Sequence, residues 1–309
     1  MWGPKMTYLT LRGMQMSQPM MFNGRLNKNE SEIWLDLLQE TGEFKLRDHS
    51  LGMKFLQLPE SISFVSSVDK KIIGGTTIYR DRTRLSMVLV SVAVKEAFRE
   101  PATYQIIKAS LPFFKTVAIR DVDVLVSKDG SPDPLGFPLS LEVESWTHDV
   151  IERAGFAEVA KIGQYSFNIK QGNYSPLKWD SKPQKEMAKE LIWDQSKPLG
   201  LTTSLVWVAR DFAAAYGKLV TFTFNDSVAV VAGLWSTGDS LVVTPIVSDP
   251  EKLDWSKVAE AIVAECTNLG KKTIQLPIVG NGQVGLIEEL EKRSNASSSR
   301  ELSLMRKPL

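Results

Sequence analysis

The sequence predicts an α+β (mixed α/β) chain made of two halves that repeat one order of elements. Three observations predict it. Two sets of three consecutive apolar runs, each run bounded by short polar turns, mark two strand meanders. After each meander come a helical pattern, a strand, a second helix and a last strand. Between the sets lies "QGNYSPLKWDSKPQKEMAK", polar and proline-bearing, which reads as a linker running into a helix. The expected division is a first domain over residues 1–172, a linker over 173–188 and a second domain over 189–309.

In the first half, "TYLTLRG" alternates and predicts an opening strand. "NKNESEIWLDLLQETGEF" sets Ile33, Trp34, Leu37 and Leu38 on one helical face, with Asn29 or Ser31 as its cap. "SISFVSSVD", "KIIGGTTIYR" and "RLSMVLVSVAV" predict three antiparallel strands, and the almost wholly apolar third belongs at a sheet centre. "EPATYQIIKASL" predicts a helix with Pro101 in its first turn and Pro112 as its end or kink. "DVDVLVS" is a strand, "LSLEVESWTHDVIERAGF" a helix closed by Gly155, and "AEVAKIGQYSFNIK" a strand or hairpin. In the second half, "LTTSLVWVARDFAAAYG" is helical and "KLVTFTF", "SVAVVAGLWS" and "SLVVTPIVS" are strands. "DWSKVAEAIVAECTNLG" (helix), "KTIQLPIV" (strand), "VGLIEELEKR" (helix) and "RELSLMR" (strand) complete it.

Bulk properties narrow the classes of partner. Lys and Arg number 37 against 36 Asp and Glu, so no general field favours nucleic acid or an anionic membrane. The single cysteine, Cys266, gives no internal disulfide and suits a reducing compartment. The methionine-rich start has no unbroken apolar run, and no segment is long and apolar enough to span a bilayer. A cytoplasmic protein with no nucleic-acid or membrane partner is expected, and a homo-oligomer is compatible with the sequence.

"VAVKEAFREPATYQIIK", residues 92 to 108, resembles without a gap the loop after the fourth strand of the GNAT superfamily of N-acetyltransferases, where "LAVDPEYRGKGIGKALL" is typical. Val92, Ala93 and Val94 match the strand end, Phe98 and Arg99 the Tyr-Arg pair, and Ile106 and Ile107 the first apolar residues of the helix. "VIERAGF", residues 150 to 156, resembles the family's "LYEKLGF", and "SDPE" in the second half resembles the entry to the same loop. The resemblance implies two tandem GNAT-like domains, each a mixed, mostly antiparallel sheet flanked by helices. It implies acetyl-CoA (coenzyme A) as cofactor and an amine-bearing acceptor, either a small molecule or a protein N-terminus or lysine.

The resemblance also implies where the cofactor sits: Val92, Ala93, Val94, Arg99, Glu100, Ala102, Thr103 and Tyr104. In such a loop, backbone N–H groups at a helix N-terminus face a pyrophosphate, and glycines let it approach. Here the glycine positions hold Glu100, Ala102 and Tyr104, and Pro101 lacks a donor, leaving Arg99 and Lys95 as the attractive groups. The second half is poorer still, with Asp254, Ser256 and Val258 at those positions and Leu253 for the arginine. The family's tyrosine that reprotonates the thiolate is Ile151 here. His148, three residues earlier, is the candidate catalytic acid or base, and Ser91 is a candidate hydroxyl on the fourth strand, which carries no carboxylate.

Other signals read as structure. "GNGQVG", residues 280 to 285, comes too late in the chain for a dinucleotide fingerprint and reads as a turn. "RDRTR", residues 80 to 84, reads as a solvated turn, and Cys266 as a small buried hydrophobe. Trp34, Trp146, Trp193, Trp207, Trp235 and Trp255 suit core or inter-domain packing. Two histidines, one cysteine and no close carboxylate–histidine spacing predict no metal site. "MQMSQPMMF" reads as packing between the halves or as an acceptor groove. Two functions follow: an N-acyltransferase with its active site in the first half, or a non-catalytic binding or assembly module of the same fold.

Overall fold

The computed structural model describes residues 21–41, 49–115, 119–127 and 142–309. In chain order the first half contains β1 (Met21–Arg25), α1 (Ser31–Thr41), α2 (His49–Gln57), β2 (Ser61–Val68), β3 (Lys71–Asp81), β4 (Ser86–Val94), α3 (Arg99–Lys115), β5 (Asp121–Ser127), β6 (Glu142–Val143), α4 (His148–Arg153) and β7 (Ala157–Ile169). The second contains α5 (Lys185–Ser196), α6 (Leu205–Ala215), β8 (Leu219–Phe224), β9 (Ser227–Thr237), β10 (Ser240–Ser248), α7 (Trp255–Asn268), β11 (Thr273–Val279), α8 (Val284–Lys292) and β12 (Ser294–Pro308). From α1 onward the halves repeat helix, helix, three strands, helix, strand, helix, strand, with β6 extra in the first. The predicted strand "TYLTLRG" lies outside the described residues.

The strands form one continuous sheet in the order β1-β2-β3-β4-β5-β12-β7-β11-β10-β9-β8, with β6 beside β5. Among the described strands only the β4–β5, β5–β6 and β10–β11 pairs are parallel. The last strand of each half is exchanged. β12, at the end of the second half, pairs with β5 of the first from Leu302↔Ser127 to Pro308↔Asp121. β7, at the end of the first half, pairs with β11 of the second. The two exchanged strands are antiparallel to each other at the centre of the sheet, from Ser294↔Ile169 to Arg306↔Ala157.

The exchange gives one core covered by helices of both halves and two cores each covered by helices of one half. On one face, Trp34, Leu35 and Phe55 of α1 and α2 pack in a single cluster with Leu191 of α5 and Trp207 and Phe212 of α6. Phe55 meets Tyr79 and Phe212, and Phe212 stacks on Trp235, so aromatic contact crosses between the halves. The Tyr79 hydroxyl donates to Asp211 at 3.0 Å; burial, then that carboxylate, pushes its pKa up. On the other face, Ile106 and Ile107 of α3 and Ile151 of α4 cover β4 and β5. Val258 and Ile262 of α7 with Leu286 of α8 cover the second half separately.

Several elements differ from expectation. The first helix is entered through a turn at Asn27–Glu30, where the Asn27 N–H donates to Glu30 Oε2, while Ser31 bonds back to the Lys28 carbonyl. Sequence reading missed α2. α3 does not end at Pro112 but runs to Lys115. The long helix expected over "LSLEVESWTHDVIERAGF" is cut to α4, because Glu142 and Val143 pair with β5 instead; residues 139–141 lie outside the described part. The serine-rich stretch before "RELSLMR" is strand, held by β7. Trp193 is exposed, whereas Trp34, Trp207 and Trp235 are buried. Cys266 is buried as expected, and burial pushes its thiol up to about 12.

A polar cluster joins the halves beneath α6. Asp123 of β5, fully buried, receives Arg306 of β12 through Nε at 2.6 Å and Nη2 at 3.0 Å. It also accepts the Ser204 N–H at 3.0 Å and the Thr203 hydroxyl at 3.1 Å, at the N-terminus of α6. Hydrogen bonding to Asp123 raises the Arg306 pKa. Arg306→Ala leaves this carboxylate buried without its countercharge and is expected to cost about 3–5 kcal/mol in urea unfolding. Arg306→Lys recovers part of that loss, lacking the two-pronged geometry.

Nearby, Asp81 accepts from the Thr83 and Arg84 N–H groups, and burial pushes its carboxyl up to about 6 against an ordinary 3.8. A raised carboxyl pKa contributes stability at acid pH that is lost as pH rises through the folded value. Asp81→Asn keeps an acceptor and removes the charge. It is expected to unfold at higher urea than the parent at pH 7.5, and the gap is expected to close towards pH 4.

Candidate functional site

The site begins where a parallel strand pair comes apart. β4 and β5 pair from Ser86↔Asp121 to Leu89↔Val124 and no further. At that point β4 carries a bulge: Thr77↔Ser91 and Ile78↔Leu89 leave Val90 as the extra residue opposite β3. Beyond it, residues 90–94 have no ladder with β5, and a wedge opens between the strands. On its other side β5 is paired along its whole length by β12, so among the described residues its free edge lies at the wedge. β6 enters there, with Leu125↔Glu142 and Val126↔Val143 in parallel register.

The predicted cofactor residues follow β4. Val92 and Val94 are buried beneath α3, while Ala93 is buried in the shared core on the opposite face. A 3-10 turn (Glu96–Phe98) precedes α3, and its bonds from Phe98 N to Lys95 O and from Arg99 N to Glu96 O occupy donors at the helix entrance. Glu100 and Pro101 stand in the first turn of α3. Ala102 and Thr103 are buried, and the Thr103 hydroxyl bonds back to the Arg99 carbonyl. Tyr104 packs at the margin of the core with the Lys108 ammonium 5.6 Å from its ring centre.

Arg99 is the pivot. Its Nη2 donates to the Thr41 carbonyl at 2.8 Å at the end of α1, its guanidinium lies 4.6 Å from the Trp146 ring centre, and Glu144 stands 4.0 Å from Nη2. Trp146 Nε1 in turn donates to Glu144 Oε2 at 2.6 Å. Among the described residues, Arg99 Nε is buried with no hydrogen-bond partner. Lys95, the other attractive group, pairs with Glu40 at 2.9 Å. Sequence reading missed Glu144, and it read Trp146 only as packing; nothing in their spacing announces the contact with Arg99.

Ser91 and His148 do not meet on one face. Ser91 stands beside Thr77 on the α1 side, where Gly75 lies under Trp34. Its Oγ and Trp34 Nε1 are buried without hydrogen-bond partners among the described residues. His148 opens α4, which packs with α3 on the opposite face, and its Nδ1 is 3.6 Å from Asp149. Contrary to the spacing argument, two groups among the described residues combine a histidine with two carboxylates: Glu32, Asp36 and His49, and His148, Asp149 and Glu152. Their members are exposed or half-exposed, and within each group the histidine pairs with a carboxylate, which accounts for the grouping. Arg80 and Arg82 of the "RDRTR" turn are held by Glu60 at 2.9 and 2.6 Å.

The corresponding place in the second half is closed by its own residues. β10 and β11 part after Val242↔Gln275, and Thr244 and Pro245 bulge opposite Gly233. Pro245 offers no N–H there. Fully buried Gln283 crosses the opening, donating to the Ile246 carbonyl at 2.8 Å and accepting the Gly280 N–H at 2.9 Å. Its segment, "GNGQVG", forms a turn packed on the Leu199 carbonyl. At the N-terminus of α7, Asp254 caps the helix, accepting the Lys257 N–H at 2.9 Å, so a carboxylate already stands where an anion would bind.

No protein-family model and no curated protein matches the sequence. Solved structures match over nearly the whole chain. A candidate acetyltransferase of Pyrococcus horikoshii is 13% identical with TM-score 0.64, covering 98% of this chain and 94% of that one. A GCN5-related N-acetyltransferase of Sphaerobacter thermophilus is 9% identical with TM-score 0.60, covering 93% and 95%. A tandem GNAT protein of the clavulanic acid biosynthesis pathway is 10% identical with TM-score 0.59, covering 94% and 98%. The fold is therefore a tandem GNAT fold, as the loop resemblance implied. No helix among the described residues is long and apolar enough to cross a membrane.

Gly75 is what lets Trp34 lie against the sheet beside the bulge: a Cβ there would stand 2.1 Å from the Phe64 carbonyl oxygen and 2.6 Å from the Trp34 ring. Gly75→Ala is expected to destabilise the protein by about 2 kcal/mol or more, read from urea midpoints.

Proposed function

We propose that the chain is an N-acyltransferase that takes an acyl group from coenzyme A in the first-half wedge and delivers it to an amine, with the second half structural. The observation that carries the reading is the bulge at Val90 placed where β4 leaves β5. It leaves the backbone of residues 90–94 facing an opening at the entrance to α3. The pantetheine arm of coenzyme A is extended and bears two amides, which suits an unpaired strand edge, and its pyrophosphate is an anion. The fit to this chain rests on that edge and on the buried, unpartnered Nε of Arg99.

Residues 91–94 would hold the arm and Arg99 the charge, with Lys95 beside it. When bound, the cofactor supplies an acyl thioester. A backbone N–H at the bulge, or the Ser91 hydroxyl next to it, would orient the acyl carbonyl. His148 is the candidate for proton transfer, and its helix lies on the α3 face. The acceptor would be an amine on a small molecule or on a protein N-terminus or lysine.

A second reading, a non-catalytic binding or assembly module, draws on a specific observation too: Glu142 and Val143 already pair in the wedge, and Glu100 and Pro101 stand in the first turn of α3. One experiment separates them. With acetyl-CoA at a hundred times its dissociation constant, linkage adds about 2.7 kcal/mol to the stability of a protein that binds it. The transferase reading expects a raised thermal midpoint with millimolar acetyl-CoA, and a smaller rise in Arg99→Ala. An unmoved midpoint together with flat calorimetry would overturn it in favour of the module.

A further inference from the structure

The first half holds, in its own wedge, a piece of chain with the chemistry of the ligand proposed for it. Glu142 and Val143 add backbone amides to the free edge of β5. Val143 is buried in the cluster under α3 and α4. The next residue, Glu144, brings a carboxylate to Arg99, and Trp146 stacks on the same guanidinium. A turn fixes this geometry: the Glu144 carbonyl accepts the Thr147 N–H at 3.0 Å and the Thr147 hydroxyl at 2.6 Å. Extended amides followed by an anion on Arg99 are the two features by which the coenzyme A arm would be recognised here.

We infer that the segment Glu142–Trp146 is an internal competitor that closes the first-half wedge, and that an acyl coenzyme A must displace it to bind. The inference rests on the transferase reading above and adds a regulation of that same site. Comparison of the two halves supports displacement. In the second half the plug is integral: Gln283 is fully buried and bonded at both ends of its amide, at 2.8 and 2.9 Å. In the first half, among the described residues, the plug is a two-residue strand laddered to β5. Its ion pair with Arg99 is at 4.0 Å, and among the described residues Arg99 Nε is left buried without a hydrogen-bond partner. A plug so attached satisfies Arg99 incompletely, and an anion with several acceptor oxygens satisfies it better.

Competition lowers apparent affinity by the fraction of molecules with the wedge open, so weakening the plug tightens binding without touching the ligand's contacts. The test uses the full chain, with acetyl-CoA as the probe in calorimetry. Glu144→Gln, which removes the charge on Arg99, and Val143→Pro, which breaks the short strand, are each expected to tighten binding about fivefold or more. Hydrogen exchange on the parent protein is expected to show the amides of residues 142–147 losing protection when acetyl-CoA saturates it. Binding by the parent with unchanged affinity in folded Glu144→Gln and no loss of protection would overturn the inference while leaving the transferase reading intact. If Val143→Pro fails to fold, Glu144→Gln and the exchange measurement decide. Absence of binding in the parent and in both variants overturns the transferase reading, and this inference with it.

Discussion

Arg306 and Asp123 lie 183 residues apart in sequence, yet their two-pronged pair sits at the join of the two halves. They meet because β12 is laid against β5 rather than against its own half. The same carboxylate takes the N-terminal donors of α6, so one buried charge ties together a strand of the first half, the exchanged strand and a helix of the second. A buried carboxylate without these partners would be strongly unfavourable. The arrangement thus selects the exchanged pairing over any in which each half closes on itself. The shared aromatic cluster on the α1, α2, α5 and α6 face adds an apolar reason for the same choice.

The exchange also decides what each half can offer a ligand. β12 covers β5 along all of its length, and β7 covers most of β11. Each of these strands therefore has one edge left, towards β4 or β10, and parallel pairing there stops after a few residues. Unpaired backbone groups at such an edge need partners. Both halves meet that need from their own sequence, but with different materials: a glutamine side chain in the second, a stray length of strand in the first. The difference is chemical, since side-chain amide bonds to backbone bridge the opening at one point, whereas a strand occupies it as an extended ligand would.

Much of this was legible in the sequence. The meanders, α3, β5, β7 and the second-half elements follow from period and from turn residues, because each is a locally consistent amphipathic or apolar run. The loop after β4 was legible from its apolar frame, Val92 to Val94 and Ile106 with Ile107. What was not legible is set by partners far away in the chain. β6 reads as the start of a helix because Leu, Glu and Trp favour one locally, and only the free edge of β5 makes it a strand. The serines before Arg300 carry no strand signal, and β7 supplies the ladder. The occupation of Arg99 by Glu144 and Trp146 depends on that same pairing. Tyr104, the bulkiest departure from the glycine pattern, packs at the edge of the core beside Lys108.

The asymmetry between the halves follows from where negative charge stands relative to each helix entrance. In the second half Asp254 is the N-cap of α7 itself, bonded to a backbone donor, so removing it would uncap the helix. Its charge belongs to the fold. In the first half the capping position of the entrance turn is Lys95, which makes no side-chain cap bond. The negative charge near α3 comes from Glu96 in the entrance turn and from Glu144, a residue on another segment reaching Arg99 through a side chain. Glu100 adds a negative charge in the first turn, where it favours the helix dipole and opposes an incoming anion. A helix that supplies its own cap keeps that charge as part of its fold, whereas at α3 the neighbouring cation is met by a carboxylate from another segment. That distinction, and not the count of glycines, is what separates the two entrances.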